Sequence, residues 1–346
     1  MEYRLLGDTG LFVSELSFGT MSFGGEGMWK SVGEQQQDEA DELIHMAVDA
    51  GINFIDTANV YSFGQSETIL GNSIDNLDLN LNELVISTKV RGAMGDGPNE
   101  QGLSRYHIFN SVEDSLTRLN VDQIDLLYVH GVDSVMPIEE IMRSLNDVVE
   151  TGYVRYIGVS NWPAWMVAKA NEIARFQGWH GFKAMQYYYS LSGRDAEEAL
   201  IPYAEAENLA FVPWSPLAGG FLTGKFTREK ESSGENARRD EFDFPPIDKE
   251  KAYDIVDVLS DIASDHDVTI AETALAWVRH QSGVTSTLIG AKSTDQFTSN
   301  LRSAEIKLTD KNLNDLDEVS AIPARYPFWM ADFQNQNRYP GDEREM

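Results

Sequence analysis

The sequence contains no cysteine, so the chain can form neither a disulfide framework nor a thiolate metal site. Its six histidines include no close pair at the spacing of metal ligands, and no His-Glu-x-x-His motif occurs. We therefore expect no metal in the chemistry of this protein. No stretch of about 18 apolar residues occurs, and the N-terminus lacks the apolar core of a secretory signal. These absences predict a cytoplasmic protein with no membrane partner.

Basic residues are also scarce. The chain has 27 of them against 56 acidic residues, which gives a formal net charge of −29. Because a surface of that sign repels phosphate groups, nucleic acid is not an expected partner. The acidic surface fits a salt-rich cytoplasm and an ordinary one equally well, and the sequence leaves that choice open.

Strand-like apolar runs alternate with segments of helical periodicity along most of the 346 residues. After a hairpin predicted over 3–14, strands are predicted at 16–19, 53–56, 85–89, 124–130, 154–160, 184–188, 211–214 and 285–289. Helices are predicted at 38–50, 66–77, 104–119, 137–151, 163–177, 196–208, 252–266, 270–281 and 294–303. Strict alternation requires parallel strands, and eight such units predict a (β/α)8 TIM barrel, an α/β fold, as a single domain over residues 1–346.

An open, doubly wound sheet is the alternative fold. Such sheets bind dinucleotides through a Gly-x-Gly-x-x-Gly turn, which the stretch Gly19-Thr-Met-Ser-Phe-Gly24 does not match. A second glycine-rich stretch, Gly219-Gly-Phe-Leu-Thr-Gly-Lys225, resembles a phosphate-binding loop, but Phe226 stands where a hydroxyl residue would bind magnesium. An ATPase is therefore not predicted.

Three segments break the alternation: residues 23–37, 218–250 and everything after Ile322. The second contains a polar run over 229–240, which we expect to be a mobile, solvated loop. The third carries too many aromatic residues for a free tail. We expect it to pack over the mouth of the barrel, with packing against a second subunit of a homo-oligomer as the alternative; its aromatic residues are Tyr326, Phe328, Trp329 and Phe333.

Four ionisable residues stand at or just after the ends of three predicted strands. Asp56 ends one strand and Tyr61 follows it, while Lys89 and His130 end the next two. Singly, each has a structural interpretation: a turn cap, a surface phenol, a lysine stem over apolar surface and a core histidine. A barrel brings the carboxyl ends of its strands to one face, where barrel enzymes carry out their chemistry. We therefore interpret the four as one site.

These residues also carry a resemblance to a known family. Asp56-Thr-Ala, Tyr61, Lys89 and His130 occur in order with Gly64-Gln-Ser-Glu67 and Gly158-Val-Ser-Asn161, and the chain thereby resembles the aldo-keto reductases over nearly its whole length. The resemblance implies that the four residues form a catalytic tetrad and that the hairpin closes the bottom of the barrel. It also implies hydride transfer from a nicotinamide cofactor to a carbonyl.

The tetrad has a physical rationale. A tyrosine is a weak acid, with an unperturbed pKa of about 10. A lysine ammonium about 4 Å away stabilises the phenolate by roughly 4 kcal/mol at an effective dielectric constant of about 20, which would lower the pKa of Tyr61 by up to about three units before desolvation is subtracted. Asp56 would keep Lys89 charged, and His130 would orient the substrate carbonyl.

The family resemblance further implies where a nicotinamide dinucleotide binds. It places the carboxamide on Ser160, Asn161 and Gln186, the nicotinamide ring against Trp214, and the pyrophosphate on Ser215, Leu217, Gly219 and Lys225. The remaining cofactor-binding residues expected from it are Gly19, Thr20, Met21, Gly290, Lys292, Gln296 and Asn300.

The chain departs from the family pattern at two places. Relatives usually have a basic residue near position 296 to hold the 2′-phosphate, and this chain has Gln296, so that Lys292 is the nearby cation that could replace it. NADPH is the expected cofactor, with NADH as the alternative. Many relatives have a bulky residue after the histidine, where this chain has Gly131. We expect extra room there in the substrate pocket, with Trp29 on the first long loop as an aromatic wall or as ordinary loop packing.

We therefore predict a reversible, NADPH-dependent reductase of a small-molecule aldehyde or ketone, with a sugar-type carbonyl among the candidates. A nicotinamide-binding regulatory subunit, resembling the β-subunits of potassium channels, is the alternative from another class. An aldolase or isomerase that uses Lys89 as a Schiff-base amine is a third possibility.

Overall fold

The computed structural model describes residues 1–25, 29, 30, 32–228, 239 and 242–335. It contains a two-stranded hairpin, β1 (Tyr3–Leu5) and β2 (Phe12–Ser14), and an eight-stranded parallel sheet. The strands of the sheet are β3 (Leu16–Gly19), β4 (Phe54–Asp56), β5 (Val85–Val90), β6 (Ile124–Val129), β7 (Val154–Ser160), β8 (Phe182–Tyr188), β9 (Ala210–Trp214) and β10 (Thr287–Ile289).

Helices connect the strands and surround the sheet. Those among the described residues are α1 (Gln37–Asp49), α2 (Gln65–Asn76), α3 (Arg105–Leu119), α4 (Ile138–Glu150), α5 (Ala164–Gln177), α6 (Ala196–Ala206), α7 (Lys249–His266), α8 (Ile270–His280), α9 (Thr294–Arg302), α10 (Asp310–Ser320) and α11 (Phe328–Asn335). Several begin at side-chain caps that satisfy the free N–H groups of the first turn. Ser104 caps α3, Ser293 caps α9, and Thr269 and Thr309 form capping boxes at α8 and α10.

The sheet closes into a barrel. Its strands pair in the order β10-β3-β4-β5-β6-β7-β8-β9, and all of these pairs are parallel. The two ends of the sheet meet where Phe211 bridges Val284 and the Thr285 N–H donates to the Phe211 carbonyl oxygen at 2.8 Å. The predicted (β/α)8 TIM barrel is thereby confirmed, and the open-sheet alternative is wrong.

The barrel interior follows from the two-residue period of its strands. Phe54, Val85 and Leu126 lie in one inner cluster with Leu6 and Val13 of the hairpin, so the hairpin closes the amino-terminal end as expected. The residues two positions further along β4 and β5 reach the carboxyl end of the barrel. The inside of the barrel is therefore apolar at its amino-terminal end and polar at its carboxyl end.

Most predicted boundaries agree with the structure to within two or three residues. The main differences are that β8 begins at Phe182, β10 is shortened to Thr287–Ile289, and α7 begins at Lys249. Helices α10 and α11 were not predicted. In α10, Leu313 packs on the core four residues after the Thr309 cap and Leu316 is buried seven residues after it, but polar neighbours make this pattern weak in the sequence.

Three of the four aromatic side chains in the C-terminal segment are exposed. Tyr326, Trp329 and Phe333 are 73%, 46% and 66% exposed, so the expected packing over the mouth is wrong for these three residues. Arg325 instead ties the segment to the start of α6 through Asp195, at 2.8 Å. The predicted mobile run over 229–240 falls, apart from Arg239, outside the described residues. No helix among the described residues has the length and apolar content needed to cross a membrane.

Candidate active site

Asp56, Lys89 and Tyr61 meet at the carboxyl end of the barrel. Lys89 Nζ lies 2.5 Å from Asp56 Oδ2 and 3.4 Å from the Tyr61 hydroxyl, and it donates to the Thr57 carbonyl oxygen at 2.7 Å. Asp56 and Lys89 are each 1% exposed and Tyr61 is 8% exposed. The ammonium therefore bridges a carboxylate and a phenol in a site with little access to water.

The Asp56 carboxylate is held on both oxygens. Oδ1 accepts from the Ser87 hydroxyl at 2.6 Å and from the Gln186 amide at 3.0 Å, while Oδ2 accepts from Lys89. Burial lowers the pKa of Lys89, but the Asp56 carboxylate and the Tyr61 hydroxyl outweigh that effect and raise the pKa above 10.5. Lys89 is consequently an ammonium across the physiological pH range.

Tyr61 is positioned by an unusual turn. Ser62 and Phe63 have φ values of 48° and 52°, a left-handed conformation that costs non-glycine residues free energy and that clusters at functional sites. The Ser62 hydroxyl donates to the Phe23 carbonyl oxygen and accepts from the Gly25 N–H, both at 3.0 Å. Phe23 and Gly25, at the start of the first long loop, therefore hold the turn that follows Tyr61.

His130 packs against the Tyr61 ring. Its ring meets the Tyr61 ring edge-on, with centroids 5.9 Å apart. Burial, followed by the nearby charges of Lys89 and Arg91, lowers the pKa of His130 from 6.5 to about 3. The imidazole is therefore neutral at neutral pH, with one N–H available to donate to a substrate oxygen.

The low pKa of His130 predicts a pH-dependent stability. The unfolded chain takes up a proton near pH 6.5, whereas folded His130 stays neutral down to about pH 3. The free energy of unfolding should therefore fall as pH decreases below 6.5. Relative to His130→Gln, the wild type should lose about 1–2 kcal/mol between pH 7 and pH 5 in urea unfolding, from about 1.4 kcal/mol per pH unit. Parallel pH profiles for the two proteins would show that His130 titrates normally.

Two further elements form the wall beside the phenol. The Trp29 ring meets Tyr61 edge-on at 5.4 Å, and its buried indole N–H has no hydrogen-bond partner among the described residues. Gly131 follows His130, but the room beside it is not empty. A Cβ built on Gly131 would lie 4.0 Å from Cδ and Nε of Arg91, whose side chain runs alongside.

The residues expected to bind the carboxamide and the nicotinamide ring lie together at this rim. The Asn161 amide donates to the Ser160 hydroxyl at 2.8 Å and to the His130 carbonyl oxygen at 3.2 Å, and it accepts from the Trp214 indole at 3.2 Å. Gln186 points to Asp56 instead. Phe244 stacks on Trp214, with centroids 5.7 Å apart and planes at 9°.

The N–H groups of Gly219 and Gly220, in the loop after β9, donate to oxygen atoms of the same loop. The Gly219 N–H donates to the Ser215 hydroxyl at 3.0 Å, and the Gly220 N–H donates to the Leu217 carbonyl oxygen at 2.9 Å. A Cβ on Gly219 would lie 2.4 Å from the Phe244 carbonyl oxygen, so glycine is required by the close approach of the segment 242–245. Lys225 is exposed and makes no ion pair among the described residues.

The loop after β10 is joined to the first long loop. Lys292 Nζ pairs with Glu34 at 2.8 Å, the Gln35 amide donates to the Lys292 carbonyl oxygen at 3.0 Å, and the Lys292 N–H donates to Gln296 at 3.1 Å. Asn300 donates to the Gly290 carbonyl oxygen at 3.1 Å. The cation expected to hold a 2′-phosphate is thus paired with a carboxylate.

Gly19 and its neighbours anchor the strand ends. Gly19 pairs with Asp56 across β3 and β4, and the Thr20 N–H donates to the Asp56 carbonyl oxygen at 3.0 Å. Thr20 is buried, whereas Met21 is partly exposed beside it. Thr20 therefore contributes to the site by holding the backbone of Asp56.

Several residues of the site were not predicted from the sequence. Ser87 and Arg91 could have been found, because they stand two residues before and two after Lys89 and share its alternation. Phe244 and Arg239 lie in the segment 218–250 that breaks the alternation. Arg239 falls in the run predicted as a solvated loop, yet it is buried and donates to the carbonyl oxygens of Ala218 at 2.7 Å and Pro245 at 3.0 Å. Among the described residues, no group of three acidic or histidine side chains is arranged to hold a metal ion.

Comparison with known proteins identifies the family. Residues 15–321 match the model of the aldo/keto reductase family. The chain is 35% identical to versiconal hemiacetal acetate reductase of Aspergillus parasiticus, over 94% of this chain and 99% of that protein. It is 34% identical to norsolorinic acid reductase of Emericella nidulans, over 96% and 85%.

A relative from another functional class is similar to the same degree. A protein of Oryza sativa subsp. japonica named "Probable voltage-gated potassium channel subunit beta" is 34% identical, over 88% of this chain and 92% of that protein. The family match spans most of the chain and agrees with the barrel fold. The chain therefore belongs to the aldo/keto reductase family and is an NAD(P)H-dependent oxidoreductase.

Proposed function

We propose that this protein reduces a small aldehyde or ketone to an alcohol, with NADPH as the reductant and Tyr61 as the proton donor. The observation that supports this most strongly is the position of Lys89 Nζ, 2.5 Å from Asp56 and 3.4 Å from the Tyr61 hydroxyl. An ammonium at that distance stabilises the phenolate that forms when Tyr61 gives up its proton.

The proposed roles follow from the charges and hydrogen bonds of the site. The nicotinamide supplies a hydride to the carbonyl carbon when it is bound. Tyr61 gives its proton to the carbonyl oxygen, and Lys89 lowers the free energy of the resulting phenolate. Asp56 keeps Lys89 charged, and neutral His130 donates its N–H to the same oxygen. In the reverse direction the Tyr61 phenolate accepts the proton from the alcohol.

A second phenol, Tyr128, lies in the same part of the barrel but does not suit this role. It is fully buried, and burial together with the Asp56 charge raises its pKa well above 10.0. Its hydroxyl has no hydrogen-bond partner among the described residues, and Gln186 donates to Asp56 instead. We therefore assign proton transfer to Tyr61, which contacts Lys89.

The chemistry of the rim suits a nicotinamide dinucleotide. The amides of Asn161 and Gln186 can bind the carboxamide, and the indole of Trp214 offers a flat surface to the ring. Phe244 stacks on that indole and the Tyr188 ring packs against it with centroids 5.2 Å apart, so a stacked nicotinamide would fit beside Tyr188 or displace Phe244. Lys225, which is exposed, and Lys292 provide positive charge for the phosphates.

Turnover distinguishes a reductase from a regulatory subunit. A reductase consumes many equivalents of NADPH with members of a panel of aromatic, aliphatic and sugar-type aldehydes. A sensor of the kind suggested by the potassium-channel relative would bind NADPH tightly and complete at most a single slow turnover. The experiment is a progress curve with NADPH in large excess over protein. Sustained consumption with at least one carbonyl is the expected result.

The choice of cofactor should depend on Lys292 and Glu34. Lys292→Ala should weaken NADPH binding by roughly tenfold to a hundredfold, because a charge-assisted bond to phosphate contributes about 1.5–3 kcal/mol. Glu34→Gln should strengthen NADPH binding by roughly threefold, because an exposed ion pair contributes about 0.2–1 kcal/mol and its loss frees Lys292. NADH binding should change far less in both variants.

Dissociation constants from titration of protein fluorescence would test these values. Glu150→Gln is a matched control, since Glu150 ends α4 on the outside of the barrel and pairs with His180 in the loop before β8. Equal effects of Lys292→Ala on NADPH and NADH would place the 2′-phosphate elsewhere.

A further inference from the structure

One arginine at the rim of the site, Arg91, has no acidic partner within the part of the chain that the structure describes. Arg91 directly follows β5, and β5 pairs with β6 so that the His130 N–H donates to the Val90 carbonyl oxygen at 3.0 Å. The Arg91 side chain runs alongside Gly131, where a side chain would otherwise compete for the space. Its guanidinium is therefore a close neighbour of the imidazole that faces Tyr61.

The guanidinium is exposed and incompletely hydrogen-bonded. Nε donates to the Val132 carbonyl oxygen at 3.3 Å, and neither terminal nitrogen has a hydrogen-bond partner among the described residues. One acid of the same rim, Asp133, makes other contacts: its oxygens accept from the Leu103 N–H at 2.7 Å and the Val135 N–H at 2.8 Å. Two N–H edges of Arg91 are thus free to receive an anion.

The lack of a carboxylate partner is unusual in this chain. Acidic residues outnumber basic ones by 56 to 27. Among the described residues, Arg91 and Arg143 are the arginines that form no ion pair within 4.0 Å. Arg143 lies on the outside of the barrel in α4, whereas Arg91 lies at the mouth. An unpaired cation at the mouth of an otherwise acidic protein attracts anionic ligands.

The backbone of Arg91 is also strained. Its φ is 140°, in a region that L-residues seldom adopt, and the Gly102 N–H fixes it by donating to its carbonyl oxygen at 3.0 Å. Such conformations cost free energy and occur most often at ligand clamps and active sites. A glycine would relieve the strain, but it would remove the guanidinium.

From this geometry, and on the basis of the proposed function, we infer that the substrate is a carbonyl compound that also carries a carboxylate, which Arg91 binds with its two terminal nitrogens. The planar guanidinium matches a carboxylate in two parallel hydrogen bonds. That contact fixes the distance between the anionic group and the carbonyl under Tyr61 and His130. The reaction at the carbonyl is unchanged: the nicotinamide is oxidised, hydride adds to carbon and the Tyr61 proton adds to oxygen, while the carboxylate stays intact.

A pair of matched substrates tests this assignment. We expect the wild type to use 3- or 4-formylbenzoate with a kcat/KM at least tenfold above that of the corresponding methyl ester, mainly through a lower KM. Arg91→Met should lower kcat/KM for the acid by roughly tenfold to a hundredfold, since charged hydrogen bonds contribute about 1.5–3 kcal/mol, and should reduce the ester's value far less. Arg91→Lys should restore part of the loss, because lysine supplies the positive charge but not the two parallel N–H donors of a guanidinium.

Binding without turnover supplies an independent readout. Benzoate has no aldehyde, and its dissociation constant from the NADP⁺ complex can be measured by calorimetry. It should rise at least tenfold in Arg91→Met and with added salt, and it should be unchanged in Arg143→Met, which removes the same charge from the outside of the barrel.

The outcomes distinguish failure of the carboxylate assignment from failure of the proposed function. If aldehydes turn over but acid and ester are used equally, or if Arg91→Met affects both equally, the carboxylate assignment is wrong and the reductase stands. If neither acid, ester nor any other carbonyl gives sustained NADPH consumption, the proposed function itself is wrong.

Discussion

Tyr61→Phe should lower kcat by about 10²–10⁴-fold, which is the contribution expected of a general acid. The substitution removes the hydroxyl that lies 3.4 Å from Lys89 Nζ and keeps the ring that contacts Trp29 and His130. The dissociation constant of NADPH should therefore change by less than a few-fold. Steady-state kinetics and a fluorescence titration of the same preparation give both numbers.

Tyr203→Phe is the matched control, because it deletes a phenol hydroxyl that contacts Asn171 on the outer helices. It should leave kcat unchanged. A Tyr61→Phe enzyme that turns over at the wild-type rate would remove Tyr61 from the role of proton donor and would leave the tetrad without an acid.

Lys89→Met should abolish turnover and also destabilise the fold. Asp56 is 1% exposed, and removal of its cation leaves a buried carboxylate with only Ser87 and Gln186 as neutral donors. Breaking a buried ion pair in this way typically costs about 3–5 kcal/mol. Urea unfolding of the purified variant measures that loss directly.

The double variant Asp56→Asn with Lys89→Met separates stability from chemistry. Replacing both members of a buried ion pair is often neutral for stability, because the cost of desolvating both charges disappears. We expect the double variant to regain most of the lost unfolding free energy while remaining inactive. If the two single losses simply added, the pair would not be coupled and Asp56 would not serve to hold Lys89 charged.

The buried ion pair of Asp56 and Lys89 is informative about function. An apolar pair of similar volume would be as stable, so the retention of two charges in a dry site points to a role in proton transfer rather than in folding. The same reasoning applies to the turn after Tyr61. Its left-handed Ser62 and Phe63 cost free energy and are held by contacts to the first loop.

The fold and the centre of the site followed from the sequence because both depend on local periodicity. Apolar strands that end in Asp56, Lys89 and His130 predict side chains at one end of a parallel barrel, and the structure brings them together. Ser87 shares the inward face of β5 with Lys89 and was within reach of the same reasoning.

Other features depend on contacts between distant segments, which periodicity does not encode. Phe244 covers Trp214, and Glu34 pairs with Lys292 across 258 residues of sequence. Neither contact has a local signal, because each residue stands in an irregular loop. On the loop after β9, to which the family resemblance assigns the pyrophosphate, the Gly219 N–H donates to the hydroxyl of Ser215. A positive φ at Ser215 brings that hydroxyl close, which residue type alone does not indicate.

The C-terminal aromatics illustrate a different limit. Aromatic content indicates burial somewhere, but it does not specify the surface that is covered. Tyr326, Trp329 and Phe333 are exposed, and Arg325 ties their segment to Asp195 at the start of α6. Packing against a second subunit, the alternative from the sequence, remains a prediction that a measurement of molecular mass in solution would test.

A crystal structure with bound NADP⁺ would decide whether the tetrad and the dinucleotide share one site. We expect the nicotinamide to lie at the carboxyl end of the barrel beside Trp214, with its reactive carbon facing the hydroxyl of Tyr61 and with that hydroxyl still in contact with Lys89. A dinucleotide bound elsewhere on the barrel, or a phenol turned away from the ammonium and out of reach of the ring, would contradict it.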